Sequence, residues 1–180
     1  MTCIGSRLLP VSAFATSLAL ASCSTISSPP SANYATAPLF TSEGRPAGFA
    51  AIVQRGDTAS LTVAALALPA GVHGVHLHAV GRCDAPAFTT AGSHLNPGGH
   101  QHGTENPAGS HLGDLPNLTI GASGTGSLTI RLPDAGGALD STLFDTDGTA
   151  IVVHAGPDDY KTDPSGNSGG RIACGVFKRG

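Results

Sequence analysis

The stretch from His73 to Asp114 reads HGVHLHAVGRCDAPAFTTAGSHLNPGGHQHGTENPAGSHLGD and holds seven of the chain's eight histidines. It opens as a strand, VHGVHLHAVG, with His76 and His78 two residues apart. On a strand, residues i and i+2 share a face. The two imidazoles therefore either converge on one metal ion or face solvent together on an edge strand. From Arg82 to Pro116 no regular periodicity follows. So long a loop inside a compact domain is functional or disordered. It carries His94, His102, His111 and Asp114. Imidazole and carboxylate are zinc ligands, and four of them close a tetrahedral site. Metal binding would then order the loop, because its free energy becomes folding free energy. The competing reading is a solvated His-rich tract that chelates loosely. The spread of the donors argues against it, since only His100-Gln101-His102 is clustered.

Outward from this stretch the chain reads as strands. PLFTSEG, AGFAAIVQRGD and ASLTVAALALPAG precede it, punctuated by Gly, Asp and Pro. LPNLTIGAS and GSLTIRLP follow it, joined by the Gly-rich turn of Gly121 to Gly126, which signals a hairpin. Then come a connection, DAGGALDSTLFDTDG, a short apolar strand, AIVVHAG, a second loop, DDYKTDPSGNSGG, and a last strand, RIACGVF. No segment has the period of an amphipathic helix, and no repeat is visible. Short strands between Gly/Pro turns predict an all-β, antiparallel sandwich or barrel. At 180 residues the chain suits one domain with a real core. With no Trp, two Tyr and six Phe, that core must come from Val, Ile, Leu and Ala. The net charge of −3 argues against a nucleic-acid partner, which would want a basic face. It decides nothing about small anions, which respond to local field. Asp145-Thr146-Asp147-Gly148 hints at a calcium loop but lacks the continuation and reads as a turn.

Residues 1–22 are a targeting segment: Arg7 starts a stretch, LLPVSAFATSLALAS, that is apolar but too short for a membrane span. It ends at Leu20-Ala21-Ser22-Cys23, which resembles the lipobox of bacterial lipoproteins. The resemblance implies cleavage before Cys23 and lipid on its sulfur; an ordinary secretory signal is the alternative. Residues 23–36, rich in Ser and Pro, read as a flexible tether, and 37–180 as the domain. Cys3 leaves with the signal, so Cys83 and Cys174 remain, either free or bonded in an oxidising compartment. A bond between them closes a loop of about 90 residues, worth roughly 4–5 kcal/mol in the chain-entropy model.

Taken together, several motifs resemble the Cu/Zn superoxide dismutase family, in its exported bacterial branch. They are Gly74-Val75-His76-Leu77-His78, Ala91-Gly92-Ser93-His94-Leu95-Asn96-Pro97, His102-Gly103 and His111-Leu112-Gly113-Asp114-Leu115, then Val152-Val153-His154 and the closing run Gly166 to Gly175. The match runs in order over about residues 37–178. The resemblance implies an eight-stranded Greek-key barrel with a long metal-binding loop, and one copper and one zinc per subunit. It places copper on His76, His78, His94 and His154, and zinc on His94, His102, His111 and Asp114, with His94 bridging. It implies that Asp158 hydrogen-bonds one ligand of each metal, His78 and His102, and that Cys83 and Cys174 form the family disulfide. Arg171 matches the arginine that attracts the anionic substrate, superoxide. His94 is also catalytic in this picture, taking a proton when its copper-side nitrogen is freed. His73 matches a structural histidine. His100 matches no ligand, whereas His102 keeps spacings of eight and nine residues to His94 and His111. Val75 and Leu95 stand where Phe is common, a change of packing.

The implied function is conversion of superoxide to dioxygen and hydrogen peroxide by Cu(II)/Cu(I) cycling, at a cell envelope to which Cys23 ties the protein. The alternative is a copper/zinc storage or delivery protein on the same fold. Monomer and homodimer are both compatible with the sequence.

Overall fold

Where a strand covers the core with one face only, its burial alternates with period two. The segment Thr58–Ala65 shows this at every residue: Ala59, Leu61, Val63 and Ala65 point inward, and Thr58, Ser60, Thr62 and Ala64 outward. In the computed structural model, which describes residues 33–55, 58–132 and 137–180, this segment is β3. Before it lie β1 (Asn33–Thr41) and β2 (Pro46–Arg55). After it come β4 (Gly71–His73), β5 (Val75–His78), β6 (Leu118–Ile120) and β7 (Gly126–Leu132). A helix, α1 (Gly137–Leu143), precedes β8 (Ala150–His154), β9 (Arg171–Val176) and β10 (Lys178–Arg179).

The main sheet is antiparallel in the order β5-β8-β9-β1-β2-β3-β7, with β10 also pairing β1. A second pair, β4-β6, lies against β7. The sheet curls around an interior of Leu39, Ile52, Leu61, Leu77, Leu118 and Ile151, which are fully buried with many alanines. Small side chains let the curl close tightly. At Gly48, with φ of +131°, a Cβ would sit 2.0 Å from the Ala64 carbonyl oxygen, so β2 bends onto β3 only with glycine there.

Two strands, β5 and β8, are buried along their whole length. Ile151 and Val153 face the interior, while Ala150 and Val152 pack outward under Phe88 and Ala91 of the loop that carries Cys83. Val75 and Leu77 face the interior, while His76 and His78 face outward under the metal-loop region. A strand covered on both faces reads as a continuous run rather than an alternation, as Ala150-Ile151-Val152-Val153 does.

Four expectations need correction or placing. Residues 33–36 belong to β1, not to a tether. Tyr34 is held there by an edge-on contact with Phe144, 5.7 Å between ring centres, and by a hydroxyl bond to Asp140. Asp140 is also gripped by Arg179, whose guanidinium lies 4.2 Å over the Phe144 ring. The segment expected as a plain connection contains α1, a two-turn helix in which Leu139 and Leu143 are buried, too few turns to show a period. The single strand expected at 72–81 is two, parted at Gly74. The signal at 1–22, the lipid site Cys23 and the tether up to residue 32 lie outside the described residues.

Cys83 and Cys174 form a disulfide across 91 residues, bonding the loop to β9. Replacing both by serine should lower the stability of the metal-free protein by roughly 4–5 kcal/mol. Urea unfolding of that variant checks this; an unchanged midpoint would show that the bond constrains little.

Candidate metal centre

The site is built on the outward face of β5. At the end of the main sheet, β5 has a free edge, and the long loop returns to it twice. Leu77 N–H donates to the Gly113 carbonyl at 3.0 Å, and Leu95 N–H donates to the Leu77 carbonyl at 2.8 Å. These contacts set His78 opposite His94 and His76 opposite Asp114. Leu95 and Leu115 plug the returning loop into the core. On the other side of β5, His76 pairs with Val152 of β8, so His154, two residues on, shares the outward face.

Four imidazoles meet there. His76, His78, His94 and His154 are buried, and their ligand atoms lie within 4.8 Å of one another. Hydrogen bonds on the far side of three rings decide which nitrogen faces the centre. His76 Nε2 donates to Asp158 Oδ2 at 2.7 Å. His78 Nδ1 donates to the Gly92 carbonyl at 2.9 Å, and His154 Nδ1 to the Gly169 carbonyl at 3.1 Å. Left over are His76 Nδ1, His78 Nε2, His154 Nε2 and His94 Nε2, which are four of the five buried side-chain polar atoms without a partner among the described residues. Burying so many unpaired nitrogens at one point costs several kcal/mol unless something binds them. A four-imidazole nitrogen set suits copper.

A second set shares His94. Its Nδ1 lies 2.9 Å from Asp114 Oδ1, His102 Nδ1 lies 2.9 Å from the same oxygen, and His111 Nδ1 lies 3.1 Å from it. His111 Nδ1 is also 3.4 Å from His94 Nδ1. The His102 contact is not an ordinary hydrogen bond. His102 Nε2 already faces Asp158 Oδ1 at 3.0 Å, so a neutral ring that donates there turns a lone pair toward Asp114. A lone pair facing a carboxylate, with three ring nitrogens crowded on one oxygen, calls for a cation between them. Tetrahedral ligands at zinc's bond length stand about 3.3 Å apart, and the separations of 2.9 to 3.4 Å lie around or somewhat below that. His76 also lies within 4.8 Å of His94, His102 and Asp114. Its Nε2 is committed to Asp158, so His111 is the fourth member.

Electrostatics keep the donors in their binding forms. Burial pushes the His78 imidazole down to about 2, His154 to about 3 and His94 to about 4, and it lowers His76 as well. All four are neutral near pH 7. Burial acts to raise Asp114 and Asp158, but hydrogen bonds outweigh it. Asp114 is held well below the usual carboxylate range by His94 and the N–H groups of Gly103 and His111, and Asp158 is lowered by His76, His102 and the Tyr160 N–H.

Asp158 joins the two sets, though through His76 and His102 rather than His78 and His102. The reason is register: His76 lies opposite Asp114 and turns toward the second set, while His78 lies beside Gly92. Asn117 clamps Asp158 by a reciprocal pair of bonds, 2.9 Å from its Nδ2 to the Asp158 carbonyl and 2.8 Å from the Asp158 N–H to its Oδ1. Gly166 makes room: a Cβ there would fall 1.8 Å from Asp158 Oδ1. His73 lies apart, its ring 2.8 Å from the His154 carbonyl and 3.0 Å from that of Pro69. His100 is exposed and belongs to neither set.

Arg171, half-buried at the start of β9, is opposite His154 in the ladder. Its guanidinium donates to the Phe88 carbonyl at 2.6 Å and the Gly92 carbonyl at 2.7 Å. Gly92 therefore holds both His78 and Arg171. Sequence reasoning missed Phe88, Gly92 and Asn117. The two carbonyls have no side-chain signature, and Asn117 reads as a glycosylation pattern, Asn117-Leu118-Thr119, before the fold places it.

A family model described as copper/zinc superoxide dismutase (SODC) matches residues 46–177. Superoxide dismutase (Cu-Zn) 2 of Aquifex aeolicus is 39% identical over 147 residues, covering 80% of this chain and 86% of that one. The superoxide dismutase (Cu-Zn) of Caulobacter vibrioides is 39% identical over 150 residues, 80% of this chain and 85% of that one. The solved structure of a SOD-like protein from Bacillus subtilis superposes with a TM-score of 0.72 at 39% identity, over 78% of this chain and 96% of that one.

The depressed imidazoles fix an acid limit. Unfolded histidines take up protons as pH falls below about 6.5, while folded His78, His154 and His94 refuse them until about 2, 3 and 4. The unfolded state then binds more protons, so stability falls with pH below that point, by up to about 1.4 kcal/mol per group per pH unit. Denaturant unfolding of the metal-free protein should show full stability above pH 6.5 and steady loss toward pH 4. A flat profile would mean that the imidazoles are not held neutral.

Proposed function

The chain belongs to the copper/zinc superoxide dismutase family, and on that footing we propose that His76 Nδ1 with the Nε2 atoms of His78, His94 and His154 holds its copper. His94, His102 and His111, through Nδ1, and Asp114, through Oδ1, would hold its zinc, His94 giving up its ring proton to solvent so that both its nitrogens donate. The enzyme converts two superoxide anions and two protons to dioxygen and hydrogen peroxide. Copper supplies the one-electron Cu(II)/Cu(I) couple that accepts an electron from one superoxide and returns it to the next, and zinc, without redox chemistry, supplies order and charge. The observation that carries the assignment is the set of four buried, unpartnered nitrogens converging from four histidines.

The protein's own groups do the rest. Arg171 is the cationic side chain beside the copper set, where it attracts and orients the anion together with the charge of the bound ion. The Phe88 and Gly92 carbonyls hold the guanidinium still. His94 Nε2, on the copper side, would be the site that takes up a proton, and His94 Nδ1 lies 2.9 Å from Asp114 Oδ1. Asp158 orients His76 and His102 and fixes which nitrogen each presents. A storage or delivery protein, the alternative, has no need of an arginine fastened by two carbonyls beside the donors.

We further propose that the protein is exported and tied to a bacterial membrane by lipid on Cys23, so that it protects the cell envelope. The lipobox-like Leu20-Ala21-Ser22-Cys23 supports this, as does the Cys83–Cys174 disulfide, a bond of oxidising compartments.

Arg171→Ala should cut kcat/KM by roughly tenfold or more at low ionic strength, with one copper and one zinc still bound by elemental analysis. Loss of either metal would show that Arg171 is structural. Cys23→Ala should move the protein from the membrane to the soluble fraction; unchanged fractionation would remove the lipid anchor.

A further inference from the structure

The zinc set is closed to solvent on all but one edge. The side chains of His102, Asp114 and His94 are 0%, 2% and 4% exposed, whereas His111 keeps 8%. Against that edge lies a cavity of about 500 Å³ whose wall includes His111, Asp114, His100, Pro97 and Arg131. His100 belongs to neither donor set and is exposed, yet it is held in place. Asn96 grips its backbone on both sides, Nδ2 donating to the His100 carbonyl at 2.8 Å and Oδ1 accepting its N–H at 3.0 Å. Its ring lies across Gly98, where a Cβ would come within 2.6 Å of Cδ2. Its ring nitrogens bond to no described residue. A placed but uncommitted imidazole thus stands in the same cavity that exposes His111.

We propose that His100 is an entry ligand and that this cavity is the port through which zinc reaches its buried donors; the inference rests on the zinc assignment above. At the mouth, His100 replaces one water of the hydrated ion. His111 and then His94, His102 and Asp114 replace the remaining waters, and His100 lets go. The waters return to solvent, and no electron is exchanged. Holding the ion beside His111 raises its local concentration there and so speeds capture. His100 is not a resident ligand, because four donors already complete a tetrahedron. Among the described residues of the cavity wall Arg131 is the one permanent cation, and it opposes an incoming dication.

The test uses the full chain stripped of metal, with Zn2+ alone as probe. Uptake is timed by stopped flow against a colorimetric zinc indicator, and bound zinc at equilibrium is counted by elemental analysis. H100A should take up zinc about tenfold more slowly, the order of gain expected from a tethered first contact, and still reach one zinc per chain. H100D, which keeps a ligand, should load near the wild-type rate, and R131Q should load faster. Opposite signs for H100A and R131Q separate a port from a general loosening of the loop. H100A loading at the wild-type rate would overturn the proposal, as would an H100A protein short of zinc at equilibrium, which would make His100 a resident ligand. Failure of the wild-type chain to take up one zinc would instead defeat the zinc assignment itself.

Discussion

The structure depends on the way Leu77 spends its two backbone groups. As part of β5 it sits on the free edge of the sheet, where an N–H and a C=O would otherwise face water. Its N–H goes to Gly113 and its C=O receives Leu95 N–H, from two passes of one loop. That pairing closes the edge, places Asp114 beside His76 and His94 beside His78, and leaves the leucine side chain in the core. Apart from one 3-10 turn at Thr89–Ala91 the loop has no regular structure of its own, so its order comes from this edge, from Leu95 and Leu115 in the core and from the donors it brings to the two buried sets.

A second restraint acts from the other side. The disulfide ties the loop to β9, and Phe88 and Ala91 cover β8. From this covered segment the Phe88 and Gly92 carbonyls reach Arg171, and the Gly92 carbonyl also reaches His78. Arg171, proposed to attract the anion, and His78, proposed as a copper ligand, thus share one oxygen. Their separation is set by backbone, which deforms less easily than side chains.

The strands and donors were largely legible in the sequence because both depend on spacing along the chain. Alternation in Thr58–Ala65, the i, i+2 pair His76 and His78, and the wide, ordered donors of the loop are local facts. What stayed hidden depends on register or on backbone. Whether His76 or His78 reaches Asp158 is decided by the residue of the loop that lies opposite each. Phe88 and Gly92 act through carbonyls that every residue possesses. Asn117 acts only once the fold brings Asp158 beside it. The start of β1 at Asn33 rests on Tyr34 finding Phe144 and Asp140 more than a hundred residues away. The helix Gly137–Leu143 has only one i, i+4 pair to announce it.

Asp158 and His94 each touch both donor sets. Whatever free energy one site gains from having these two side chains fixed is shared with the other, and by thermodynamic reciprocity the factor is equal in both directions. The two ions are therefore not independent guests. A chain that has filled one site has already met part of the ordering cost of the second, so singly loaded protein should be the rarer species wherever both metals are scarce.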